Sequence, residues 1–139
     1  MRIPFSSLLI LPVFCALACT SGGSSDAPVA AKFSSIQGKV FDKSCSAPSC
    51  HGSGKKGGLS LTRDSSFSQL VGAAGILDNK HTPPFLRVRP GSPDSSLLFI
   101  KITNPDTSEG EIMPKGSDKL SQNKIDAIRQ WILEGARDN

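Results

Sequence analysis

No stretch of this 139-residue chain is long and apolar enough to cross a bilayer as a helix: the apolar run over residues 8–17 falls short of the ~20 residues a span needs. Neither sign of charge dominates, with sixteen Lys and Arg against twelve Asp and Glu. The bases stand singly or in pairs such as Lys55-Lys56 and Arg87/Arg89, so no basic run tracks phosphates and nucleic acid is not an expected partner. Histidine and methionine are scarce, at two each, so any metal chemistry rests on very few side chains. No internal repeat is found and no second domain boundary follows residue 31, which leaves one domain with one small core.

The first residues do not belong to that core. Arg2, then the apolar run 8–17, then the small residues Ala16 and Ala18 before Cys19 read as a cleaved export signal over residues 1–18. Cys19 opens a Thr20-Ser21-Gly22-Gly23-Ser24-Ser25 tract of flexible composition. This combination resembles a bacterial lipoprotein signal. The resemblance implies that Cys19 is lipidated and that residues 19–31 tether the domain 32–139 to a membrane on the extracytoplasmic side of the bacterial envelope. Loss of Arg2 leaves fifteen bases against twelve acids, a surplus of three.

Within 32–139 four short helices are expected, separated by Gly- and Pro-rich loops. Ser34 is a candidate cap with Gln37 as its capping-box partner, placing Ile36, Val40 and Phe41 near one face. Ser65 or Ser66 starts a second helix carrying Phe67, Leu70 and Val71 and ending at Gly72. Ser92, Pro93 and Asp94 start a third that buries Leu97, Leu98 and Ile102, with a strand as the alternative. Ser121 caps the clearest one, where Ile125, Ile128, Ile132 and Ala136 recur at helical spacing beside Trp131. The protein core is small for so much loop, a discrepancy that a large apolar cofactor would remove.

The chemistry concentrates in Cys45-Ser46-Ala47-Pro48-Ser49-Cys50-His51, two thiols and an imidazole within seven residues. Its relative is the Cys-x-x-Cys-His pattern of covalent haem attachment, in which each thiol adds to a vinyl group and the adjacent imidazole reaches the iron from the same side. Here four residues, not two, separate the cysteines. A disulfide closing a small loop is an alternative in an oxidising compartment. Zinc held by Cys45, Cys50, His51 and His81 is another, disfavoured because adjacent Cys50 and His51 cannot easily share one tetrahedron.

A second iron ligand is available. Once Met1 is removed the only methionine is Met113, sixty-two residues after His51 and directly before Pro114, which biases it toward extended backbone. A thioether ligand raises the reduction potential relative to a second histidine. His81, flanked by Lys80, Thr82 and Pro83-Pro84, is the competing ligand.

Taken in order, Val40-Phe41-Asp42-Lys43-Ser44-Cys45, Cys50-His51-Gly52, Gly57-Gly58-Leu59-Ser60-Leu61, the run 88–97, Lys101-Ile102, Met113-Pro114 and the segment 128–136 around Trp131 resemble a small bacterial class I type cytochrome c. The resemblance implies an all-α, cytochrome c-like fold of short helices and long loops around one covalent haem c, with the N- and C-terminal helices crossing. It implies Cys45 and Cys50 as the covalent attachment points, His51 as proximal and Met113 as distal iron ligand. Gly38 is then the candidate for close approach to the Ile128/Trp131/Ile132 surface. A carbonyl should accept the His51 ring proton, and Arg87 and Arg89 are the candidates to meet the haem propionates. Leu59, Leu61, Leu70, Val88, Pro90, Leu97, Leu98 and Pro114 would line the haem faces.

The function so implied is one-electron transfer between redox partner proteins of the envelope, by a carrier and not an enzyme. A haem peroxidase or gas sensor is the alternative with an open sixth position. A disulfide-stapled, lipid-anchored binding module is the alternative without haem.

Overall fold

The computed structural model describes residues 27–75, 85–105 and 110–139, so Cys19 and His81 lie outside the described residues. Among these residues the protein is helical and has no strands, extended segments meeting only in isolated bridges such as Val71 with Val88 and Leu86 with Ser96. Among the described residues no helix is long and apolar enough to cross a membrane.

Helix α1, Phe33–Ile36, runs directly into a π-helix, Gln37–Cys45. The expected serine cap is not used. Lys32 occupies the cap position without a side-chain bond. The first free amides are instead taken from the far end of the chain, Phe33 N–H by Asn139 Oδ1 at 2.9 Å and Ser34 N–H by the Asn139 carbonyl at 2.9 Å. The wider winding has a consequence for the thiol. In an α-helix Cys45 would lie about half a turn away from Ile36, on the back of the helix. Bonding from residue i to i+5, seen at the exit as Ser46 N–H to the Phe41 carbonyl at 2.9 Å, gathers residues four and five apart on one side. Ile36, Val40 and Phe41 are fully buried there, and Cys45 packs against the same core.

Helix α2, Ser66–Leu70, begins after Ser65, with Val71 at its end and Gly72 beyond, as the sequence suggested. The third expected helix is split. Pro93–Ser95 forms a 3-10 turn, and α3, Leu97–Thr103, follows after Ser96 in extended backbone. Ser96 is fully buried because its hydroxyl is used twice, donating to the Ser92 carbonyl at 2.8 Å and accepting from Arg89 N–H at 2.9 Å. The first amides of α3 are met by the neighbouring segment, Leu97 N–H by the Leu86 carbonyl at 3.0 Å and Leu98 N–H by the Arg87 carbonyl at 2.9 Å. Of its apolar residues Ile102 is buried, while Leu97 and Leu98 are half-buried.

Helix α4, Gln122–Leu133, carries the stripe read from the sequence: Ile128, Trp131 and Ile132 are buried and Ile125 packs against the core. Its end is a Schellman closure, with Ala136 N–H on the Trp131 carbonyl (2.9 Å) and Gly135 N–H on the Ile132 carbonyl (3.0 Å). Gly135 supplies the positive φ of 96° that this reversal needs. Ala136, although beyond the helix, is buried beside Trp131, whose indole N–H donates to the Arg137 carbonyl at 2.8 Å.

Four aromatic rings join these elements. Phe33 stands edge-on to Phe41 (centroids 6.3 Å apart) and to Phe67 (5.0 Å), and packs on Trp131 at 5.5 Å. The first and last helices therefore touch through Phe33 and Trp131. Gly38 is not at that contact: a Cβ there would meet only the Arg63 guanidinium, at 3.5 Å. The expectation that Gly38 permits a close helix approach is corrected accordingly, since the aromatic pair forms the contact. Val29 and Ala31 also pack against the core, and Lys39 Nζ donates to the Pro28 carbonyl at 2.6 Å.

Candidate functional site

The segment after the π-helix is a bonded coil. His51 N–H donates to the Cys45 carbonyl (3.1 Å), which bridges the first thiol-bearing residue to the imidazole-bearing one. The Ala47 carbonyl accepts from both Cys50 N–H (2.9 Å) and Gly52 N–H (3.1 Å), and the Pro48 carbonyl from Gly54 N–H (2.8 Å). The inserted Ser46-Ala47-Pro48-Ser49 thus supplies the acceptors around which the coil winds. Gly52 is required by proximity: a Cβ on it would overlap the Ser46 carbonyl oxygen and lie 2.9 Å from that of Ala47. Gly54 stands in the same relation to the Pro48 carbonyl.

The coil is anchored to the core through Leu61. Leu61 N–H donates to the His51 carbonyl at 2.6 Å. The Leu61 carbonyl accepts from Ser46 Oγ at 2.7 Å and from Gln37 Nε2 at 3.0 Å. Gln37 was expected to cap α1; it is instead a buried bridge, also donating to Asp42 Oδ1 at 2.6 Å and accepting from Ser66 Oγ at 2.6 Å. Asp42 is further paired with Arg63. One amide side chain therefore ties the π-helix and α2 to Leu61, the residue that anchors the coil.

The two thiols are unpaired and unequal. Cys45 is half-buried against the core, and burial pushes its thiol up to about 12 from 9.0, with nearby Cys50 adding to the rise. Cys50 is exposed, with Ser49 Oγ at 3.8 Å from its sulfur. His51 is half-buried, and its Nδ1 is buried without a hydrogen-bond partner. The carbonyl expected to accept its ring proton is therefore not found among the described residues. A buried polar atom in that state costs about 1–3 kcal/mol.

Met113 lies on the loop after α3 and is half-buried, packing against the same core as Cys45. Lys101 clasps this loop twice: its carbonyl accepts Met113 N–H at 2.7 Å and its ammonium donates to the Glu111 carbonyl. The polar neighbours of Met113 in sequence did not disclose this packing. Of the residues expected to line a cofactor, Leu61, Leu70 and Val88 are core residues, Leu59, Leu97, Leu98 and Pro114 are half-buried, and Pro90 is exposed.

The two candidate arginines separate. Arg89 is exposed. Arg87 is buried, and its guanidinium donates from Nη1 to the Gln69 carbonyl (3.0 Å) and from Nη2 to the Gly58 carbonyl (3.1 Å). Desolvation holds it below its usual pKa. Sequence reasoning missed this use because both acceptors are backbone atoms, which no residue pattern marks.

Among the described residues no three of His, Cys, Asp and Glu converge on a point where they could hold a metal ion by themselves. No family model, curated protein or solved structure matches the chain. The donor set at 45, 50 and 51 nonetheless fits a haem that is held covalently. Both thiols are free to form thioethers, and His51 is locked to Cys45 through its backbone with a buried ring nitrogen left unpartnered.

Proposed function

We propose that the chain is a cytochrome c-like electron carrier of the bacterial envelope, holding one haem c through Cys45 and Cys50. The observation that carries the reading is the coil itself, which joins two free thiols and an imidazole with an unpartnered buried nitrogen in one hydrogen-bonded unit. Haem, when bound, supplies an iron that alternates between ferric and ferrous states. Cys45 and Cys50, both free, would hold it as thioethers, an addition of thiol to vinyl that would consume no oxidant. His51 would be its proximal ligand and Met113 its distal one. Leu59, Leu98 and Met113, all packed on the core, are the apolar side chains that would restrict water at the iron.

Cys19 is the proposed lipid anchor to the membrane, and the electron donor and acceptor are envelope redox proteins docking on the carrier. The test is expression of the exported chain in a host that matures c-type haem, followed by oxidised and reduced spectra and a pyridine-haemochrome assay. Covalent haem with absorption typical of two thioethers is expected, and colourless protein refutes the reading. Met113→Ala in the loaded protein should abolish the weak ferric sulfur-to-iron band and lower the potential. If the band survives and His81→Ala alters it instead, the distal assignment is wrong. Cys19→Ala should release the protein from the membrane fraction.

A further inference from the structure

The strap of residues 58–61 is held through main-chain atoms of Gly58, Ser60 and Leu61. Gly58 gives its carbonyl to Arg87 Nη2 (3.1 Å), Ser60 N–H donates to Gln69 Oε1 (2.7 Å), and Leu61 N–H donates to the His51 carbonyl (2.6 Å). The Leu61 carbonyl completes it with the bonds from Ser46 and Gln37. Arg87 is the one cation in this set, and it is only 9% exposed. Its ordinary fate at such burial is a carboxylate partner. Among the described residues the ion pairs are Asp42 with Arg63 and Glu111 with Lys115, and Arg87 joins neither.

Its fork is spent on two carbonyls from different segments. One is Gln69, among the last residues of α2, where unbonded helix carbonyls favour a cation. The other is Gly58, seven residues beyond His51. Its own backbone is pinned as well, Arg87 N–H to the Ala73 carbonyl at 2.7 Å and the Arg87 carbonyl accepting from Leu98 N–H at the start of α3. A planar guanidinium can bridge two fixed oxygens in this way, whereas an ammonium is a point charge without the fork.

We infer that Arg87 is a positioning residue for the proposed proximal ligand: it fixes the Gly58 carbonyl to α2, and the strap so fixed delivers the Leu61 N–H that holds the His51 main chain. The inference rests on the proposed haem role of His51 only for its functional meaning. The mechanical claim concerns the polypeptide alone. Since the role belongs to the fork and not to the charge, Arg87→Lys should fail to replace it.

The test uses the full exported chain in three measurements. In the wild type, nitrogen NMR of the Arg87 side chain should show hindered rotation and a coupling across the hydrogen bond to the Gly58 carbonyl. A freely rotating guanidinium overturns the inference, and this measurement stands even if a variant does not fold. In haem-free protein, Arg87→Lys should accelerate amide exchange at Leu61 by about tenfold or more, as loss of a charge-assisted bond implies. Exchange within about twofold of wild type overturns it. In haem-loaded protein, the ferric electron-paramagnetic g-values, which report axial ligand orientation, should shift in Arg87→Lys. Unchanged g-values with faster Leu61 exchange overturn the positioning role. Absence of haem from the wild type instead defeats the proposed function and leaves the exchange result to be read separately.

Discussion

Replacing Gly52 by alanine should break the coil that carries Cys50 and His51. The added Cβ would overlap the Ser46 carbonyl oxygen and crowd that of Ala47 at 2.9 Å, and both are backbone atoms that cannot swing aside. To clear the methyl, the Ala47 carbonyl must give up its bonds from Cys50 N–H and Gly52 N–H, each worth about 1 kcal/mol. Strain in whatever contacts persist adds about 1–2 kcal/mol, giving a cost of about 3–4 kcal/mol in all. For a domain of this size that lowers the melting temperature by roughly 12–16 °C, unless the coil opens locally first. The assay is a melt followed by circular dichroism, with amide exchange at Cys50 and at residue 52 to catch local opening. The reasoning is refuted if the melt moves by less than about 2 °C and both amides keep their protection.

Gly38→Ala is the counterpart, and there the melting temperature should hold or rise. A Cβ at Gly38 has only the mobile end of Arg63 near it, and a helical Gly gives up about 1 kcal/mol to Ala; a fall of several degrees would show that Gly38 lies at a tight helix contact after all. Trp131→Phe should cost about 1–3 kcal/mol, because the ring contact with Phe33 is kept while the Arg137 carbonyl loses its indole partner. Equal stability of Trp131→Phe and wild type in denaturant titration would show that the indole bond contributes nothing. In haem-free protein the Cys45 thiol, raised from 9.0 to about 12, favours the fold fully below pH 9 and loses that contribution as pH climbs through about 12. The gap sets a ceiling of about 4 kcal/mol, which Cys45→Ala and thioether formation should both remove from the alkaline stability profile. An unaltered profile in Cys45→Ala would mean the thiol is not desolvated.

Helix α4 could be read from the sequence because everything that defines it is local: an apolar period, a polar opposite face, and Gly135 at its close. The start of α2 could be read for the same reason. Where the reading missed, the deciding partner was distant. The first amides of α1 are met by Asn139 and not by Ser34, and those of α3 by the carbonyls of Leu86 and Arg87. Ser96 breaks the expected third helix because its hydroxyl serves Arg89 and Ser92. Cys45, Cys50, His51 and Met113 were visible as residue types suited to a haem. The bonded order of the four-residue insert was not, since its acceptors are backbone carbonyls. Nor were the bridging roles of Gln37 and Arg87, whose side chains speak mainly to main-chain atoms.

The π-helical winding before Cys45 makes the orientation of that thiol a matter of counting. A chain shortened by one residue anywhere between 37 and 44 would keep the Cys-x4-Cys-His motif, the composition and a continuous helix, yet swing the first sulfur by about a quarter turn or more relative to Ile36. The length of this segment is thus as much a part of the site as the motif, and single-residue deletions there should be far less tolerated than most substitutions at its exposed positions. A motif search would pass such a shortened chain as intact. The distance from Phe33 to Cys45, measured in residues, is the feature to compare when other chains with this spacing are found.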